Sequence, residues 1–207
     1  MFNEATLTSV STVLWRPTTR RLRYCALACV GALLGMAWAG NAVAQQFSVR
    51  DAKTTLVDGV YRLEASLDYQ FTPPVLEALN NGVTLTLALD IEVNRQRRYL
   101  WDEGMATLEQ RYELQYHALT EQYLLHNLNS GSRFLYSSLG AALATLGSVQ
   151  SVPLIDAQLL DPDERYMVRV QSRLDLDKLP VPLRLNAYVS TDWWLSSGWY
   201  SWNLAGE

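Results

Sequence analysis

Apolar and polar residues alternate with a period of two along most of the chain. Tyr61, Leu63, Ala65, Leu67, Tyr69 and Phe71 are interleaved with Arg62, Glu64, Ser66, Asp68 and Gln70. Successive strand side chains point to opposite faces, so this pattern predicts a half-buried strand over 61–71. Residues 83–93 repeat it, with Val83, Leu85, Leu87, Leu89, Ile91 and Val93 against Thr84, Thr86, Asp90 and Glu92. Over 108–118, Leu108, Tyr112, Leu114, Tyr116 and Ala118 share a face opposite Glu109, Arg111, Glu113, Gln115 and His117. Over 165–176, Tyr166, Val168, Val170, Leu174 and Leu176 oppose Arg165, Met167, Arg169, Gln171 and Arg173. Such clean alternation favours antiparallel sheets with one wet face.

Shorter segments complete the reading. Residues 97–101, 120–128 and 183–190 are strand-like, and 129–132 and 161–164 read as turns. Thr72 as cap, Pro73 at the first helical position and Gly82 as terminator predict one short helix. A second runs from about Ser138 to Gly147, with Leu139, Ala142, Leu143 and Leu146 on one stripe. Leu179-Pro180-Val181-Pro182 reads as a stiff extended connector, because neither proline donates a ladder hydrogen bond. The expected fold is mainly β: one antiparallel β-sandwich or open barrel with two short helices, with an α+β arrangement as the alternative.

Composition narrows the class without naming a function. The chain has 207 residues, 49% of them hydrophobic and 18% charged, and a formal net charge of −4. That excludes a disordered tail and a collagen-like fibre. The mild acidity argues against nucleic acid as a partner, which would need a basic footprint.

Residues 20–44 read as an export signal. Arg20, Arg21 and Arg23 precede an uncharged apolar run from Tyr24 to Gly40, and Ala42-Val43-Ala44 supplies small residues before Gln45. Cleavage is expected after Ala44, leaving 45–207 as a single mature β-rich domain, with 1–19 as an N-terminal preface. The expected location is periplasmic or secreted. The alternative is an inner-membrane anchor made by the uncleaved segment, the only route by which the chain would enter a membrane. Cleavage removes Arg16, Arg20, Arg21, Arg23 and Glu4, which takes the charge to −7, and both cysteines, Cys25 and Cys29. The mature chain then has no disulfide, thiol nucleophile or cysteine-held metal.

Candidate chemistry is sparse. No nucleophile elbow, zinc-helix motif, phosphate loop or dinucleotide fingerprint occurs, so no cofactor and no catalytic residue are assigned. His117 and His126 are the only histidines. His117 on a polar strand face reads most simply as solvated, and more sharply as a pH-sensitive contact near Tyr116 and Tyr123. Arg165, Arg169 and Arg173 form a row on one strand face that could hold a lipid head group or an acidic partner. Their plainer reading is cross-strand pairing with carboxylates such as Glu109 or Glu113. Trp193, Trp194 and Trp199, with Tyr200 and Trp202, crowd the tail as core filler or as an aromatic partner surface. On a strand, adjacent Trp193 and Trp194 would face opposite ways, which leaves one of them exposed.

Three segments together resemble a known family: Tyr116-His117-Ala118-Leu119 with Tyr123, the stretch Leu174 to Leu185, and the tail Trp194, Ser196-Ser197, Trp199-Tyr200 and Trp202. The family comprises uncharacterised exported proteobacterial proteins with a domain of unknown function, sometimes labelled proline-rich signal peptide proteins. The resemblance runs from about Phe47 to the end. It implies no assigned activity, but it does imply a gene neighbour encoding a membrane sensor kinase, and hence an envelope protein partner. The expected function is a non-catalytic envelope binding or accessory protein. The alternatives are a cofactor-independent periplasmic hydrolase and a carrier of a small apolar ligand.

Overall fold

The alternating stretches become strands in a computed structural model, which describes residues 47–204. The export segment and its expected cleavage point lie outside the described residues. In chain order the elements are β1 (Phe47–Val57), β2 (Val60–Tyr69), α1 (Pro73–Asn80), β3 (Leu85–Arg95), β4 (Glu103–His117), β5 (Gln122–Asn127) and β6 (Arg133–Tyr136). Then follow α2 (Leu139–Leu146), β7 (Ser148–Asp156), β8 (Tyr166–Leu174), α3 (Val181–Val189) and β9 (Tyr200–Asn203). All belong to one compact unit, Ala44–Glu207.

The strands form two antiparallel sheets, one of three strands in the order β1-β2-β7 and one of six in the order β6-β5-β4-β3-β8-β9. Neither closes into a barrel, so the sandwich is the form adopted. β1 packs against β8 and β9, and β7 against β4, which places the small sheet over the middle of the large one. The alternation decides what lies between them. Leu85, Leu87, Leu89, Ile91 and Val93 of β3 meet Leu63, Ala65, Leu67 and Tyr69 of β2 in one buried cluster. Val168, Val170 and Leu174 of β8 and Leu114 of β4 join them. The opposite faces of β3, β4 and β8 carry the charges. α2 covers the β5–β6 flank, and α1 closes the end beside β4.

Local chemistry explains several boundaries. Val57-Asp58-Gly59-Val60 turns β1 into β2 with φ of 52° at Asp58 and 78° at Gly59, the twist that two-residue hairpins prefer. Ser138 caps α2 by accepting from the Ala141 N–H at 3.3 Å. Thr72 occupies the cap position of α1, but its hydroxyl instead donates to the Asp192 carbonyl at 2.8 Å. That bond ties α1 to the turn after α3. Gly82, with φ of +83°, follows the end of α1.

Four expectations change. Residues 97–101 are the loop joining β3 to β4, not a strand, because β3 already ends at Arg95 and the ladder resumes at Glu103. Residues 183–189 are helical: α3 takes up Val181–Val189, so the described residues hold three α-helices rather than two. The Pro180–Pro182 segment is accordingly a helix start rather than a connector. Pro180 sits at the cap and Pro182 within the first turn, where the missing N–H has no helical partner to lose. Finally, β1, β6, β7 and β9 are strands that the alternation does not announce, β9 lying within the aromatic tail.

Candidate functional site

β8 ends beside α3, and the outer face of the large sheet there brings together three of the candidate residues, Arg169, Arg173 and Trp199, with Trp194 nearby, hydrogen-bonded to α3. Alternation turns Arg169, Gln171 and Arg173 outward from β8, Asp90 and Glu92 from β3, and Glu109 and Arg111 from β4. The arginines are neutralised within the sheet. Arg169 Nε donates to Glu92 at 2.7 Å. Arg173 donates through Nε to Asp90 at 2.7 Å and through Nη2 to Glu109 at 3.2 Å. Arg111 closes the row on Glu109 at 2.7 Å. The Asp90 hydrogen bond holds the Arg173 guanidinium above its ordinary value. Arg165 precedes β8, and its carbonyl accepts the Gln96 N–H at the far end of the strand. Two of the three arginines therefore share the face, each on a carboxylate partner.

Aromatic residues frame this face. The Trp199 ring lies under Arg169, with the guanidinium carbon 4.6 Å from the ring centroid. Ser196 accepts from Gln171 at 2.7 Å and bridges to Arg173, which pins the Trp199 loop to the sheet. Trp193 and Trp194 do diverge, although they sit at a tight helical turn rather than on a strand. Trp193 is buried and Trp194 is 64% exposed. Trp194 Nε1 donates to the Ala187 carbonyl of α3 at 3.1 Å, so this exposed indole is held in one orientation.

α3 continues the aromatic surface. Ala187 is buried, while Val181, Leu185 and Val189 recur at every fourth residue on the solvent side. Tyr188 stands beside them and its hydroxyl donates to Asp177, which raises the phenol above its ordinary value. A cleft of about 300 Å³ runs between Arg173, Asp175, Tyr188 and Trp194. Val181, Leu185 and Val189 make an apolar strip on the solvent side of α3, the helix to which exposed Trp194 is hydrogen-bonded at the Ala187 carbonyl. Reading 183–190 as a strand hid this strip. The fourfold spacing of Val181, Leu185 and Val189 was the available clue.

The remaining candidates lie elsewhere. Tyr116 and Tyr123 are directly cross-strand, with ring centroids 4.8 Å apart. His117, the next residue along β4, is exposed and registers with Gln122. His126 pairs with Glu113 at 3.3 Å. Ser130 and Ser132 bond each other at 3.0 Å, and Ser197 accepts from the Ser172 N–H at 2.9 Å. Among the described residues, no serine hydroxyl is hydrogen-bonded to a histidine, and no group of three His, Cys, Asp or Glu side chains converges as metal ligands would. None of the described helices is long and apolar enough to cross a membrane.

Residues 44–203 match a domain of unknown function, DUF4390. The chain belongs to this family. The match takes in every element of the DUF4390 domain, from β1 to β9. No curated protein and no solved structure matches the chain.

Proposed function

We propose that the DUF4390 domain is an exported, non-catalytic binding or accessory protein, and that α3 with Trp194 is its docking face. One observation carries this reading: a rigidly held, exposed Trp and a helix with an apolar solvent side lie together on the rim of a filled core. Exposed Trp beside aliphatic side chains is the composition of an interface centre. Asp177 accepts from Tyr188 of α3 and Asp192 is exposed in the turn after it, while Arg184 of the helix is turned back on the Leu179 carbonyl; exposed acids near an apolar helix suit a partner with an apolar centre and a basic rim. The outer domain of a membrane sensor kinase is the proposed partner, on the family context alone.

The test is affinity capture from detergent-solubilised envelopes with the full chain, against a Leu185→Asp, Val189→Asp double variant. Both positions face solvent, so circular dichroism should be unchanged by the substitutions. Wild type should retain a sensor kinase and the variant should lose it. Equal retention by both proteins, or retention by neither, contradicts the proposal.

A further inference from the structure

The end of the domain farthest from α3 carries a second group of exposed apolar side chains, spread over three separate loops. The β3–β4 loop presents Tyr99, Leu100 and Trp101, which are 89%, 66% and 93% exposed. The β1–β2 hairpin presents Leu56 and Val57, and the turn after β7 presents Leu159, which is 68% exposed. Register and hydrogen bonds bring all three to one end. Val57 pairs with Val60 at the hairpin, and the Ala157 N–H reaches the Gly59 carbonyl at 2.8 Å. Thr54 donates to the Leu204 carbonyl, Leu204 donates to Tyr166, and Tyr166 pairs with Arg95 at the base of the β3–β4 loop.

The β3–β4 loop is braced where it leaves the sheet. Arg95 and Arg97 both pair with Glu103 across its neck. The Gln96 N–H donates to the Arg165 carbonyl at 2.8 Å. Arg98, next to the apolar triplet, makes no ion pair among the described residues. A braced neck therefore supports a protruding Tyr-Leu-Trp apex with one arginine left over.

We propose that this end of the domain rests on a phospholipid bilayer. Tyr99, Leu100 and Trp101 sit in the interfacial layer, Arg98 meets lipid phosphate, and Leu56, Val57 and Leu159 touch the surface around them. Tyr and Trp are the residues that settle at a membrane–water boundary, and an arginine beside them keeps its charge among head groups. The geometry favours lipid over a protein partner. The apolar groups stand on separate protrusions at the end that also holds a recess whose lining includes Tyr61, Gln96, Asp161, Glu164, Arg165 and Leu204, so the two carboxylates there outnumber the one arginine and head-group charge is not what draws this end to lipid. A fluid surface accepts separate protrusions, whereas a protein interface needs a contiguous, complementary centre. The charged residues of the loop nearly cancel, since Arg95 and Arg97 share Glu103 and Asp102 accepts the Arg97 N–H. Apolar insertion therefore carries the binding, and salt should weaken it little.

The test places a photoreactive phenylalanine analogue at position 100 of the full chain, added to vesicles of phosphatidylethanolamine and phosphatidylglycerol. A parallel chain carries the analogue at Lys53, on the outer face of the small sheet. Position-specific chemistry reads this end of the domain whatever the apolar run at 24–40 does. Position 100 should give lipid adducts at least fivefold above position 53, in low and high salt alike. With the analogue moved to Leu159, adducts should fall at least fivefold when Leu100→Ser and Trp101→Ser are introduced. Equal labelling at 100 and 53, adducts to protein in place of lipid, or unchanged labelling at 159 would each overturn the proposal.

Discussion

Gly147 shows how far one residue can decide packing. Its backbone lies directly against β2, with the Leu67 N–H donating to its carbonyl at 2.8 Å. A Cβ at this position would overlap the Leu67 carbonyl oxygen, a backbone atom that cannot swing aside. Gly147→Ala should therefore cost at least about 1–3 kcal/mol, as overpacking of a closed core does, seen as a lower thermal midpoint. Sequence marked this glycine only as a helix terminator; the strand that crosses it is remote in the chain. Tyr69 is a second case. Burial pushes its phenol up to about 12, against the hydrogen bond shared with the Ser172 hydroxyl, which acts the other way. In the unfolded chain the proton leaves near pH 10. Above that pH the unfolded state binds fewer protons than the folded one, so stability declines between about pH 10 and 12 and is full below. Tyr69→Phe should remove this alkaline decline, at a cost of about 1 kcal/mol at neutral pH for the lost hydrogen bond. Denaturant titrations at pH 7 and pH 11 measure both effects. Trp193 and Trp194 were legible as a pair that must diverge, but which ring is buried depends on a turn that alternation does not describe.

At the scale of elements, the long amphipathic strands were the legible part. β2, β3 and β8 carry their charges on one face and most of their large apolar groups on the other, which packs on the core, although Thr86 and Ala88 bury the second face of β3 as well. β1 was missed because Arg50, Asp51, Lys53, Thr54 and Thr55 break its period near a bulge between Val49 and Asp51. Its Asp58-Gly59 hairpin was nevertheless visible as a dipeptide. Gly59→Ala should lower stability by roughly 1–2 kcal/mol, the cost of a Cβ in the left-handed region, with the denaturant midpoint shifting and its slope unchanged. α3 was misread for a physical reason too. Two prolines discouraged a helix, yet Pro180 is its cap and Pro182 lies in its first turn, where proline is tolerated. The error mattered, since a strand over 183–190 leaves Val181 outside the element and does not set it with Leu185 and Val189 on one exposed helix. The arginine row was legible as a row, but the carboxylates opposite it required the register of β3 and β4.

For the whole molecule, two sheets and one filled core leave function to the ends and the outer faces. The Phe47 end carries α1, α3 and Trp194, tied together through Thr72 and Asp192. The other end carries the Tyr99–Trp101 loop and its two neighbours. The charged outer face of the large sheet between them is internally paired, and exposed pairs of this kind add about 0–1 kcal/mol each. It lies between the two apolar ends. A domain arranged this way is suited to hold a partner at one end while the other end meets a surface. Strand alternation indicates a mainly β sandwich or open barrel, but not which of the two, nor which residues meet at an end, because those come from loops far apart in sequence.

The most direct measurement is photocrosslinking in intact cells from position 185 of the full-length chain, with position 53 as the reference. The account expects one discrete protein adduct from 185, identified by mass spectrometry as a membrane sensor kinase, and none from 53. Absence of any adduct at 185, or the same adducts from both positions, would contradict it.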